Sequence, residues 1–164
     1  LKFQFPGSLI SPSPHRKMPS MENGARTLSV ADRLEIQELL ARYNFYEDSG
    51  QVEPWVNSFT TDGGFMHSSG KSYIGHDELR RFALDREKRP GARQSVHWAS
   101  NLFITPTAEG AQAQYYVMLV EQLPDGSFRI RGMSRKTDEL RQENGQWRFK
   151  FRGSAPLPDA GPSR

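Results

Sequence analysis

One change of rhythm constrains this chain more than any other feature. Up to Glu87 its apolar residues recur at helical spacing, and from Gln94 onward they alternate. A helix buries a stripe and a strand buries every second residue. Helices first and strands afterwards imply an α+β architecture rather than alternating βαβ units.

The helical part divides in three. Ser29–Asp48 predicts a first helix, with Ile36, Leu39, Leu40 and Tyr43 as its buried stripe and Arg33, Glu35, Glu38 and Arg42 on its polar side. Ser29 with Asp32 resembles a capping box, with Asp in place of the usual Glu. Gly50 suits the C-terminal stop. Val52–Phe59 is expected as a short second helix, because Pro54 fits a first turn and Trp55 and Phe59 stand four apart. Gly63 and Gly64 would end it. Phe65–His67 and Lys71–Ile74 read as a hairpin. His76–Glu87 predicts a third helix, with Leu79, Phe82 and Ala83 inward, and Lys88–Arg93 a basic loop.

Three long strands follow: Gln94–Thr105, Ala111–Gln122 and Phe128–Gln142, the last bent near Gly132. Asn144–Gly145 is a strong type I′ hairpin signal, and Gln146–Arg152 is expected to close the sheet. A curved, mainly antiparallel sheet wrapped round the first helix makes a cone, whose open mouth is a natural small-molecule site.

The chain has 164 residues, 35% hydrophobic and 25% charged, which suits one domain with tails. Residues 1–26 carry four prolines among several serines and read as a disordered leader; 27–153 form the domain and 154–164 a flexible tail. The leader has no apolar core before a small-residue cleavage site, so no secretory signal is expected. No run approaches the ~20 apolar residues of a membrane helix. There is no cysteine, which excludes disulfides, a thiol nucleophile and thiolate metal sites, and fits a reducing, cytoplasmic setting. Histidine spacing of the zinc-site kind is missing, so no metal is expected. Net charge is +3, with the basic residues spread out. The densest cluster, Arg129, Arg131, Arg135 and Lys136, reads as a solvated sheet face, and no nucleic-acid partner is expected.

Four stretches together resemble one family. "ADRLEIQELLARYNFYEDSGQVEPWVNSFTTDGGF" resembles the opening of SnoaL-like domains of the nuclear-transport-factor-2 (NTF2-like) superfamily. "YIGHDELRRF" is similar to that family's third helix, "SVHWASNLFI" to its histidine-bearing strand and "DELRQENGQWRFKFR" to its closing hairpin. The resemblance runs from about Ala31 to Gly153. It implies the cone-shaped fold, formation of dimers or trimers, and no cofactor. In site pattern the nearest members are of the scytalone dehydratase and hexachlorocyclohexane dehydrochlorinase type. By motif position their catalytic Asp and His fall on Asp48 and His97, and the dehydrochlorinase-type Arg, five residues after a Trp, falls on Arg152 after Trp147. Other scytalone-type groups are replaced: a second histidine falls near Glu121 or Gln122, tyrosines fall on Glu47 and near His67, and an asparagine falls near Lys136. Scytalone itself is therefore not the expected substrate.

A histidine beside a carboxylate is a general base held in one tautomer. His97 and Asp48 could remove a proton beside a carbonyl or a leaving group, with Arg152 facing an anionic oxygen. Tyr43, Tyr46, Trp55, Phe59, His67 and Asn101 are the candidate substrate-binding residues. These parts suit a cofactor-independent lyase or isomerase working on a hydrophobic, oxygenated small molecule. A binding protein without catalysis, or an assembly subunit like the small subunit of ring-hydroxylating dioxygenases, would use the same fold. Val96 and Trp98, outward on their strand, imply self-association.

Overall fold

A computed structural model describes residues 27–67 and 69–155. The helices are α1 (Val30–Asp48), α2 (Val52–Val56) and α3 (His76–Glu87). The strands are β1 (Phe59–Met66), β2 (Ser72–Ile74), β3 (Ser95–Pro106), β4 (Ala111–Gln122), β5 (Phe128–Glu143) and β6 (Gln146–Ala155). The expected leader and the tail beyond Ala155 lie outside the described residues; Ser154 and Ala155, assigned to the tail, instead complete β6. No helix among the described residues is long and apolar enough to cross a membrane.

α1 starts as its sequence dictates. The Ser29 hydroxyl accepts from the Asp32 amide at 3.1 Å, and the Asp32 carboxylate accepts from the Ser29 amide at 2.9 Å. Both ends of the capping box are therefore satisfied, by an Asp in place of Glu. Gly50 follows the helix with φ 68°, the left-handed turn that glycine adopts without penalty. The turn at Asn144–Gly145 has φ 53° and 76°, as a type I′ hairpin requires.

The strand order is β2-β1-β6-β5-β4-β3, antiparallel except for the parallel pair β1–β6. β6 is thus an interior strand and does not close the sheet, which stays open between β2 and β3. α2 stops at Val56, short of the expected Phe59. Phe59 instead opens β1, opposite Phe149, where the Phe149 amide bonds the Ser58 carbonyl at 2.9 Å. The β-branched Thr60 and Thr61 favour that strand. Gly63 and Gly64 do not end an element; they lie within β1. A Cβ on Gly64 would come within 2.3 Å of the Tyr73 carbonyl, and one on Gly63 within 2.6 Å of the Phe149 carbonyl, so the neighbouring backbones admit only glycine.

Ile36, Leu39, Leu40 and Tyr43 are buried as a stripe against the sheet. An aromatic cluster ties α1 and α2 to β1 and β6. Trp55 and Phe59 lie 5.3 Å apart between centroids, and Tyr43 meets Phe149 edge-on at 5.3 Å. The Trp147 indole donates to Asp32 at 2.9 Å and its amide to Glu35 at 3.0 Å, which ties the closing hairpin to the start of α1.

Besides the register shift between Phe59 and Gly64 where β1 meets β6, three irregularities bend the sheet. In β3 the register shifts between Ser100 and Phe103, around Asn101 at φ 59°. In β5, Arg131 is extra opposite Leu119–Val120, one residue from the bend expected at Gly132. In β6, Lys150 is extra, because Phe149 faces Leu140 while Phe151 faces Glu139. Such bulges bend a strand and reverse its alternation. After Asn101 it is Leu102 and Ile104 that are partly buried with His97, while Phe103 turns outward, contrary to the simple alternation expected.

Candidate active site

The last turn of α1 carries the site. Tyr43 and Glu47, and Asn44 and Asp48, are i,i+4 pairs, so all four reach the same side of the helix. β3 passes this turn and brings His97 to Asp48. His97 Nδ1 lies 2.6 Å from Asp48 Oδ1, and the His97 amide donates to Asp48 Oδ2 at 2.9 Å. One carboxylate therefore holds both the ring and the backbone of its partner. With Nδ1 donating, Nε2 is left as the accepting nitrogen. Nε2 lies 4.0 Å from Glu47 Oε1, and Glu47 is held by Arg86 of α3 at 2.6 Å.

Burial lowers the imidazole pKa, but the Asp48 hydrogen bond and the charges of Glu47 and Asp48 outweigh it, and the net shift is upward from 6.5. His97 side-chain exposure is 26%, so the ring is sheltered yet reachable.

Two cavities meet at this pair. The interior of the cone, about 710 Å³, is lined by His97, Asp48, Glu47, Lys136 and Arg152, with His67 and Arg131 also contributing. A groove of about 760 Å³ runs between α1 and β3, past Phe45, Trp98 and Asn101. Asn44, Asp48 and His97 border both.

Simple alternation along β6 would place Arg152 on the face of Arg148 and Lys150. The Lys150 bulge turns it inward, and it is 6% exposed. Its Nε donates to Asp138 Oδ2 at 3.1 Å, and an Nη bonds the Tyr115 hydroxyl, which itself donates to Asp138 at 2.6 Å. The guanidinium also stacks on the Tyr43 ring at 3.7 Å. Burial lowers its pKa, but the Asp138 carboxylate and nearby phenols raise it further, so Arg152 is a fixed cation.

Among the other candidates, Tyr43 borders the cone cavity while serving as core. Burial pushes its phenol pKa well up, assisted by Glu47. His67 stands at the cavity with Nδ1 accepting from the Ser69 amide at 3.2 Å. Asn101 borders the groove, not the cone. Trp55 and Phe59 are buried in the aromatic cluster and Tyr46 packs against the core, so these three border neither cavity.

Three participants were not singled out from the sequence. Glu47 and Arg86 form the pair beside Nε2; the signal was Arg86 at i+7 from Leu79, a charge in an apolar stripe. Lys136 was grouped with a solvated cluster, yet it shares the inward parity of Asp138 and Leu140. Of that cluster, Arg131 and Lys136 border the cavity, whereas Arg129 pairs with Glu121 at 2.7 Å. Among the described residues, no three His, Asp or Glu side chains converge as a metal site would.

The chain belongs to the SnoaL-like domain family, which matches residues 28–153. No curated protein matches it. Solved structures share its fold. A protein of unknown function with a cystatin-like fold from Nostoc punctiforme is 27% identical, over 84% of this chain and 98% of that one, with TM-score 0.70. A Catenulispora acidiphila protein in complex with S-DNPA is 24% identical over 77% and 95%, TM-score 0.68. A candidate scytalone dehydratase from Novosphingobium aromaticivorans is 18% identical over 78% and 85%, TM-score 0.61. This chain is therefore NTF2-like in fold.

Proposed function

We propose that the protein is a cofactor-independent lyase or isomerase that moves a proton on a hydrophobic, oxygenated small molecule. The observation that carries this is the 2.6 Å contact of His97 Nδ1 with Asp48, which leaves Nε2 beside the cone cavity. His97 takes a proton from carbon next to a carbonyl or a leaving group. The C–H electron pair becomes the new double bond. In a dehydration, the imidazolium returns that proton to the departing hydroxyl, which leaves as water. In an isomerisation it returns the proton to a different carbon. Asp48 stabilises the imidazolium between the two steps. Arg152 contributes a fixed positive charge to oxygen that becomes negative, and Tyr43 shapes the wall beside it. The Catenulispora acidiphila neighbour in complex with a small molecule supports small-molecule binding.

The test is His97→Gln, screened against hydroxy-ketone and polyketide-like compounds. General acid–base catalysis is worth roughly 10²–10⁴-fold, so a loss of that size is expected. Unchanged turnover would overturn the role of His97. A second reading, ligand binding without turnover, is favoured by the engagement of Arg152 with Asp138 and Tyr115. Native mass spectrometry with a metabolite extract separates the two: a ligand retained unaltered after long incubation supports binding.

We also propose that the protein self-associates through the outer face of β3, β4 and β5. Val96, Val120 and Ile130 lie in register there, as do Trp98, Met118 and Met133. Trp98 is 62% exposed and Ile130 63%. A second copy of this chain is the proposed cover.

A further inference from the structure

We propose that Lys136 is the anchor for a carboxylate on the substrate, which deepens and rests on the reading of His97 as the proton-transfer group. Lys136 lies on β5 opposite Tyr115 of β4 and Ser154 of β6, and it borders the cone cavity. Its ammonium donates to Ser154 Oγ at 3.2 Å. An ammonium has three donors, and no carboxylate forms an ion pair with this one among the described residues.

The other sheltered charges lining the cone are already matched. Arg152 has Asp138, Arg86 has Glu47 and Glu87, and Asp48 is held by His97. That leaves Lys136 as a sheltered cation with no counter-ion among the described residues. Arg89 and Arg131, exposed and also without an ion pair among the described residues, border the same cavity. They would draw an anion toward it. Burial first, and Arg152 second, lower the Lys136 pKa, as befits an ammonium without a counter-charge; Asp138 and Glu47 offset only part of that. A carboxylate supplies the missing charge and two good acceptors, in a sheltered site where a charge-assisted hydrogen bond is strong.

The placement also bounds the substrate. His97 sits opposite Leu119, four residues along β4 from the position facing Lys136. By strand spacing the two residues are ~16 Å apart along the sheet, and both side chains lean into the cavity. Phe65, Phe82, Val117 and Leu119 line the space with apolar surface. The fit is a one- or two-ring body with its carboxylate at Lys136 and its labile proton at His97.

The experiment compares 2-naphthoate with 2-naphthamide, equal in shape and unequal in charge, by isothermal titration calorimetry. The unaltered protein should bind the naphthoate roughly tenfold more tightly, the size of one charge-assisted hydrogen bond. Lys136→Met and Lys136→Gln should abolish the preference and Lys136→Arg keep it, each with native circular dichroism and melting checked first. Equal affinity of the two probes, no naphthoate binding, or a preference that survives in either neutral variant overturns the proposal. His97→Gln separates it from the catalytic reading. A charge preference alongside full His97→Gln turnover leaves the carboxylate site standing and removes the base. Lost turnover without any preference does the reverse.

Discussion

His97 is pulled both ways, down by burial and up by Asp48 and Glu47, and the upward pull wins. As a base it must be neutral, so kcat/KM is expected to rise with pH through an apparent value above 6.5, the ordinary imidazole figure. Asp48→Asn should move that midpoint downward; a pH–rate profile that does not shift would contradict the arrangement. The same linkage gives a stability effect of fixed sign. A histidine whose pKa is raised by folding stabilises fully below the unfolded value and loses that contribution as pH rises through the folded one. The Asp48→Asn destabilisation, measured by urea unfolding, should therefore be greater in mild acid than in mild alkali. At the opposite wall, Asp138→Ala leaves the Arg152 guanidinium buried without its carboxylate, which costs about 3–5 kcal/mol. The meeting of Asp48 with His97 was legible through the family's motif positions, which fall on two regular elements. The surroundings of Arg152 and Lys136 were not, because Lys150 and Arg131 each break a strand's alternation and nothing in the residue types announces a bulge.

The first helix was readable to its cap, since Ser29 and Asp32 act within one turn and need no distant partner. The stretch after it was not. Trp55 and Phe59 at four-residue spacing are as consistent with a helix as with what occurs, a short helix handing over to a strand. The choice is made by β6, nearly ninety residues on, which offers Phe149 as a parallel neighbour to Phe59. Local spacing cannot register so remote a partner. The aromatic rings still meet, so the packing expected of the helix is achieved by other backbone. Trp55→Ala should cost about 3–5 kcal/mol in chemical denaturation. His97→Gln should cost far less, because its ring is partly open to the cavity.

For the whole molecule, the order of helices and strands was enough to give the class, and the turn at Asn144–Gly145 gave one hairpin. The parallel pairing of β1 with β6 was beyond it, so β6 was expected at the margin of a sheet in which it is interior. The outer face of β3, β4 and β5 carries the self-association proposal. Light scattering at micromolar concentration is expected to give a multiple of the 18.7 kDa chain mass, and Trp98→Lys with Ile130→Lys to reduce it to one. A monomer before any substitution would rule the interface out.

The extra residue Lys150 has a consequence for how such a site can change. It is unmatched on the neighbouring strand and does not border the cone cavity. Removing it would leave Phe149 and Arg152 facing inward as before, because the two outward places at 150 and 151 would become one. What would go is the bend, and with it part of the curl that gives the cone its girth. The capacity of the chamber is thus adjustable at this one residue, with the side chains of β6 that touch the contents left in place.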